Sequence, residues 1–193
     1  MPLTGVKIIL ASQSPRRSEL LRGLVEEFEV IPSEVDEKID PERPPETNAL
    51  AMARDKALWV AQRHPGCMVI GADTIVVLDG KIIGKPKDEN DARCILKSLC
   101  GRRHQVITGV AVANPAGKLF QEAALSCVDF KTATDEEIAA YVRTGEPLDK
   151  AGAYAIQGKG AFLVRAHEGS YSNIVGLPVE TLQTLLRRAI GKS

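Results

Sequence analysis

An excess of charge of either sign is what this chain of 193 residues lacks. Lysine plus arginine and aspartate plus glutamate both number 25, for a formal net charge of zero. That balance argues against a protein that coats nucleic acid, which carries a basic surplus, although it leaves room for a local cationic pocket. Aromatic residues are only 4% of the chain, so stacking platforms for single strands are scarce. No apolar run reaches membrane-spanning length and the N-terminus shows no apolar leader, so no membrane partner and a cytoplasmic location are expected. The four cysteines, Cys67, Cys94, Cys100 and Cys127, form no C-x-x-C pair. That excludes a zinc ribbon and a thioredoxin motif and leaves reduced thiols. The three histidines, His64, His104 and His167, are scattered and are expected on the surface or in turns. Neither a Walker phosphate loop nor G-x-G-x-x-G is present; after Gly158-Lys159-Gly160 the last required glycine is Leu163.

What is there is a core-forming chain, 44% hydrophobic, in which strand and helix patterns interleave. Val6 to Ala11 reads as a buried strand. Ser14 and Pro15 read as the cap and first residue of a helix that Gly23 stops. Phe28 to Pro32 reads as a strand, and the acidic, proline-rich Ser33 to Thr47 as a loop. Asn48 to Arg63 carries an amphipathic helical stripe. Met68 to Ala72 is an apolar run ending at Asp73, followed by a hairpin turning at Asp79-Gly80. Asp88 to Cys100 reads as a helix, and Gln105 to Ala113 and Leu119 to Lys131 as paired strands. Thr134 with Glu137 fits a capping box opening a helix to Val142. Gly145 to Gly176 reads as loops over a site, and Pro178 opens a last helix to Ile190. Helices alternating with hairpins predict a single elongated α/β domain, residues 1–193, with a central mixed sheet flanked by helices.

Several clusters carry chemistry. Ser12 to Arg17 feeds a strand through a serine-rich turn into a helix N-terminus, an arrangement that favours phosphate. Arg16 and Arg17 oppose that helix dipole unless an anion is bound; solvated surface arginines are the alternative. A carboxylate at Asp73, after a buried run, needs pairing, hydrogen bonds or a metal. Gly84-Lys85-Pro86 can return a cation towards it. Glu34, Asp36 and Glu37 can offer carboxylate oxygens to a magnesium-like ion or lie solvated in a loop. Lys56 either snorkels or points into the site. Gln157 offers a donor and an acceptor to a nucleobase edge, or caps loop backbone.

Taken in order, Ile9-Leu10-Ala11-Ser12-Gln13-Ser14-Pro15-Arg16-Arg17, Gly71-Ala72-Asp73-Thr74, Gly84-Lys85-Pro86, Asp149-Lys150-Ala151-Gly152-Ala153-Tyr154, Ile156-Gln157-Gly158 and Val175-Gly176-Leu177-Pro178 resemble the Maf family of nucleotide pyrophosphatases. The resemblance implies hydrolysis of the α–β phosphoanhydride of a nucleoside triphosphate with a divalent cation, magnesium or manganese. It implies a fold similar to the inosine triphosphate pyrophosphatases, with two lobes around a cleft, and a homodimer. Arg16, Thr74 and Gln157 match the branch acting on dTTP and UTP; the 7-methyl-GTP branch carries tryptophan and glutamate at the first and last of these. The family's catalytic aspartate maps onto Asp73, its phosphate-binding positions onto Ser12, Arg16, Arg17, Lys56 and Lys85, and its metal positions onto Glu34 and Asp73. The family link to septum formation leaves a second reading open, a nucleotide sensor without turnover.

Overall fold

Short apolar runs with period-two alternation form the strands, and the computed structural model describes residues 5–191 of the chain. β1 (Ile8–Leu10) pairs in parallel with β2 (Glu29–Val30) and with the start of β3 (Met68–Leu78), Ile9 standing opposite both Glu29 and Val69. β4 (Lys81–Ile83) folds back antiparallel on β3 through the Asp79-Gly80 turn. β5 (Arg103–Ala113), β6 (Leu119–Phe130) and β7 (Val164–Glu168) complete a mixed sheet in the order β2-β1-β3-β5-β6-β7, with β4 on β3. The expected α/β architecture with a mixed sheet is what forms.

The chain divides into two compact units, one of residues 5–73, 108–124 and 176–191, the other of Thr74–Ile107 and Leu125–Val175. In the first unit, alternation sends Ile8, Leu10, Met68, Ile70, Val110 and Val112 to one face of the strands. There they meet Leu21 of α1 (Pro15–Arg22) and Leu182, Leu185, Leu186 and Ala189 of α6 (Val179–Ala189). Ile9, Ala11, Val69, Ala111 and Ala113 take the other face, against Ala53, Ala57 and Val60 of α2 (Pro45–Arg63).

α2 lies unusually close to the strands. A Cβ placed on Gly71 of β3 would stand 2.2 Å from the Ala53 carbonyl oxygen, and one on Gly109 of β5 would stand 2.4 Å from that of Ala49. Glycine in the strands and Ala49, Ala53 and Ala57 at helical spacing therefore let backbone approach backbone. Buried Asn48 ties the preceding segment to the same helix, donating to the Asp40 carbonyl at 2.9 Å and accepting from the Asp40 N–H at 2.9 Å.

In the second unit, α3 (Glu89–Leu99) starts at an Asp88 cap and α4 (Asp135–Val142) at the expected Thr134–Glu137 capping box. α3 packs on α4 and on the turn at Ala151–Ala153. His104, Phe130 and Tyr154 meet edge-to-face with ring centroids 4.7–5.4 Å apart.

Three expectations need correction. The run expected to stop at Asp73 continues to Leu78, because Thr74, Ile75, Val76 and Val77 are β-branched and the cost of the carboxylate is met by a partner described below. The segment 145–176, expected as loops, holds three 3-10 turns, β7 and a short α5 (Tyr171–Val175); their brevity kept them below any periodicity signal. His104 is not a surface residue but is 2% exposed. Its ring is one of the few large planar side chains available to fill that core.

Candidate active site

Within the first unit, β1 delivers Ala11-Ser12-Gln13 to the start of α1. Ser14 caps the helix, its Oγ accepting from the Arg17 N–H at 3.5 Å, while Pro15 holds the first helical φ. Ser12 Oγ accepts from the Ser14 N–H at 3.3 Å and from an Arg17 guanidinium N–H at 3.1 Å. Arg17 also donates through Nε to the Gly176 carbonyl at 2.7 Å, so the Gly176-Leu177-Pro178 turn before α6 serves to fix this arginine. Burial pushes the Arg17 pKa below its ordinary value; the negative charge of Asp73 opposes that, Arg16 adds to it, and Glu37 opposes it. The group stays a cation, since guanidinium does not deprotonate in proteins.

Lys56 settles the question its helix position left open. It points inward from α2, is 7% exposed, and its Nζ donates at 2.6 Å to Asp73 Oδ1 and at 2.6 Å to Glu37 Oε1. A buried ammonium is costly unless its charge is met, and here two charge-assisted hydrogen bonds meet it. Asp73 is likewise mostly buried, whereas Glu37 keeps 46% of its side-chain surface. The close approach of α2 to β3 is what brings a lysine on one and an aspartate on the other within hydrogen-bond distance.

Glu37 is the member that the resemblance-based assignment passed over. It belongs to the acidic cluster noted in the sequence, and only its contact distinguishes it from Glu34 and Asp36, which are both exposed. Arg16 is half-buried in the first turn of α1, a turn without acidic residues.

Oxygen ligands are what a hard divalent cation prefers, and the Asp73 and Glu37 carboxylates already converge on one cation, the Lys56 ammonium. No cluster of three or more His, Cys, Asp or Glu side chains able to hold a metal occurs among the described residues. A hard divalent ion held by so few protein carboxylates would need water and phosphate oxygens to complete its shell.

In the second unit, Thr74 follows Asp73 on β3, and the two are the partly exposed positions of an otherwise buried strand. Lys85 is exposed after β4. The Gly84 carbonyl beside it accepts from the Gly152 N–H at 3.1 Å. Gly152 sits at φ +70°, and a Cβ there would fall 2.9 Å from Val76. Lys150 turns inward, donating to the Glu146 carbonyl at 2.9 Å, so it ties its own loop together. Gln157 is half-buried where the buried run 152–156 emerges.

The sequence pattern of the family described as Maf-like protein matches residues 7–189. A dTTP/UTP pyrophosphatase of Dictyoglomus turgidum is 51% identical over 184 residues, covering 94% of this chain and 95% of that one. A dTTP/UTP pyrophosphatase of Clostridioides difficile is 48% identical over 184 residues, covering 95% of each. Among solved structures, a HAM1 protein from Coxiella burnetii is 20% identical, covers 95% of this chain and 99% of its own, and has a TM-score of 0.48.

Proposed function

This chain belongs to the Maf family, and from that premise we propose that it hydrolyses dTTP and UTP to the monophosphate and pyrophosphate. The observation that carries the reading is the Lys56 ammonium held between Asp73 and Glu37, in the unit that also holds Arg17 on Ser12. It joins fixed cations to fixed carboxylates, which is what phosphoryl chemistry asks of a protein.

In the proposed mechanism Arg16, Arg17 and Lys56 neutralise triphosphate oxygens, with the Ser12 hydroxyl positioning Arg17. Asp73 orients the attacking water and takes its proton, its carboxylate held in place by Lys56. Asp73 and Glu37, with Glu34 on the same segment, would hold magnesium or manganese. Such an ion, when bound, withdraws charge from the phosphate oxygens and stabilises the leaving pyrophosphate. The roles of Lys85 towards phosphate and of Thr74 and Gln157 towards the pyrimidine rest on family membership. So do a homodimeric state, work in the cytoplasm on nucleotide pools and a link to cell division. No helix among the described residues is long and apolar enough to cross a membrane.

The test is pyrophosphate release from dTTP, UTP, CTP, 7-methyl-GTP, ITP and ATP, with magnesium or manganese, by wild type and Asp73→Asn. Fast release from dTTP and UTP, lost in the variant, is expected. Nucleotide binding without release from any of them would move the reading to a sensor.

A further inference from the structure

Gln157 sits in a segment that glycine should make loose, with Gly152, Gly158 and Gly160 around it. The segment is nevertheless held on both sides by two side chains, from α4 and the turn that follows it. On the N-terminal side, the Ala155 N–H donates to the Tyr141 hydroxyl at 3.3 Å. That hydroxyl donates in turn to Glu146 Oε1 at 2.8 Å. On the C-terminal side, Glu146 Oε1 accepts from the Gly160 N–H and Oε2 from the Lys159 N–H, both at 3.0 Å. The glycines are fitted to this grip. A Cβ on Gly158, at φ +95°, would stand 2.8 Å from Glu146 Oε2, and one on Gly160 would stand 2.5 Å from the Tyr141 hydroxyl oxygen. Gln157 lies between the clamped residues.

We propose that Glu146, braced by Tyr141, is the positioning residue for base selection, fixing the loop so that the Gln157 amide is presented in one orientation. This rests on the reading that Gln157 contacts the pyrimidine. Three donors on one carboxylate restrict the loop far more than backbone bonds alone. A site that discriminates by a single amide must hold it to a fraction of an ångström. Glu146 acts through the loop and touches no reacting atom. Its carboxylate, below its ordinary value of 4.5, is raised by burial and lowered further by the Lys159 N–H, the Tyr141 hydroxyl, the Gly160 N–H and Lys150. It therefore stays an acceptor at neutral pH.

The decisive variant is Glu146→Gln, which keeps the shape and turns an N–H donor against a backbone donor. The readout is affinity for the α,β-methylene analogues of UTP and CTP, measured by calorimetry on the full chain, with hydrogen exchange at residues 158–160. The UTP-over-CTP preference should fall about ten-fold, as for loss of one discriminating hydrogen bond, and the loop amides should exchange faster. Tyr141→Phe should move both readouts in the same direction. In a Gln157→Ala background, Glu146→Gln should change the preference no further, because the two act in series. A preference unchanged in Glu146→Gln, or losses that add in the double variant, would overturn the proposal and leave Glu146 a stabilising cap. Since binding of a non-hydrolysable analogue needs no turnover, failure of the pyrophosphatase reading shows in the release assay alone and is told apart from failure here.

Discussion

Replacing Gly71 by alanine tests the claim that helix-to-strand distance builds the site. The added Cβ would lie 2.2 Å from the Ala53 carbonyl oxygen, 2.8 Å from the Ala57 nitrogen and 3.0 Å from the Ala57 Cβ. Two of these are backbone atoms of α2, so no rotamer change relieves the clash. The helix must retreat by about 1.2 Å to go from 2.2 Å to the 3.4 Å of ordinary contact. Overpacking against backbone is expected to cost about 3 kcal/mol, the upper part of the usual range. Alanine's lower unfolded-state entropy returns only about 0.5 kcal/mol. For a chain of this size the net corresponds to a Tm lower by roughly 5–10 °C. Lys56 rides on α2, and its 2.6 Å bond to Asp73, stretched by the same retreat, passes beyond hydrogen-bond distance. Turnover should therefore fall about a hundred-fold even at a temperature where the variant is folded. Circular-dichroism melting and pyrophosphate release read the two effects. Gly84→Ala, whose Cβ would meet nothing within 4 Å, is the stability control. A Gly71→Ala protein melting within about 2 °C of wild type with intact turnover would refute the packing argument.

Other outcomes follow from the same contacts. Lys56→Met removes the cation between Asp73 and Glu37 and should lower stability by about 3–5 kcal/mol in denaturant titration. Adding Asp73→Asn should recover most of that loss, and a double variant no more stable than the single one would show that the pair is not coupled. His104 is held neutral by burial, its pKa pushed down to about 4 from 6.5, with Asp129 opposing. The unfolded state therefore takes up a proton that the folded state refuses between those values. Stability should fall by about 3 kcal/mol as pH drops from 6.5 to 4. Denaturant midpoints across that window should vary less in His104→Phe than in wild type, and parallel profiles would contradict the assignment.

Local signals carried most of the element boundaries. Ser14-Pro15, Asp88, Thr134 with Glu137 and Pro178 each start a helix where the sequence says so, since caps act within one turn. Asp79-Gly80 turns the hairpin because few other pairs adopt its positive φ values. Signals shorter than one period failed: β7 and α5 are too brief for alternation to show. His104 was misjudged because burial depends on which rings fill a core, not on residue type.

The site shows the same division. That Asp73 and Arg17 need partners was legible in the sequence, because a carboxylate in a buried run and cations at a helix start both demand them, whereas the helical stripe left Lys56 open between snorkelling and pointing inward. Which partners they find was not legible. Choosing Glu37 over Glu34 required the path of the chain through 33–44, which Asn48 pins to α2. Placing Lys56 on Asp73 required the glycine-to-alanine contact of β3 with α2. The role of Glu146 required three donors from different parts of the chain to meet on one carboxylate. Sequence alone determined where strands, helices and reactive groups begin, because caps, turns and periodicity are local. Only the tertiary structure decided which charge faces which, because a contact between distant residues is fixed by how closely backbones can pack.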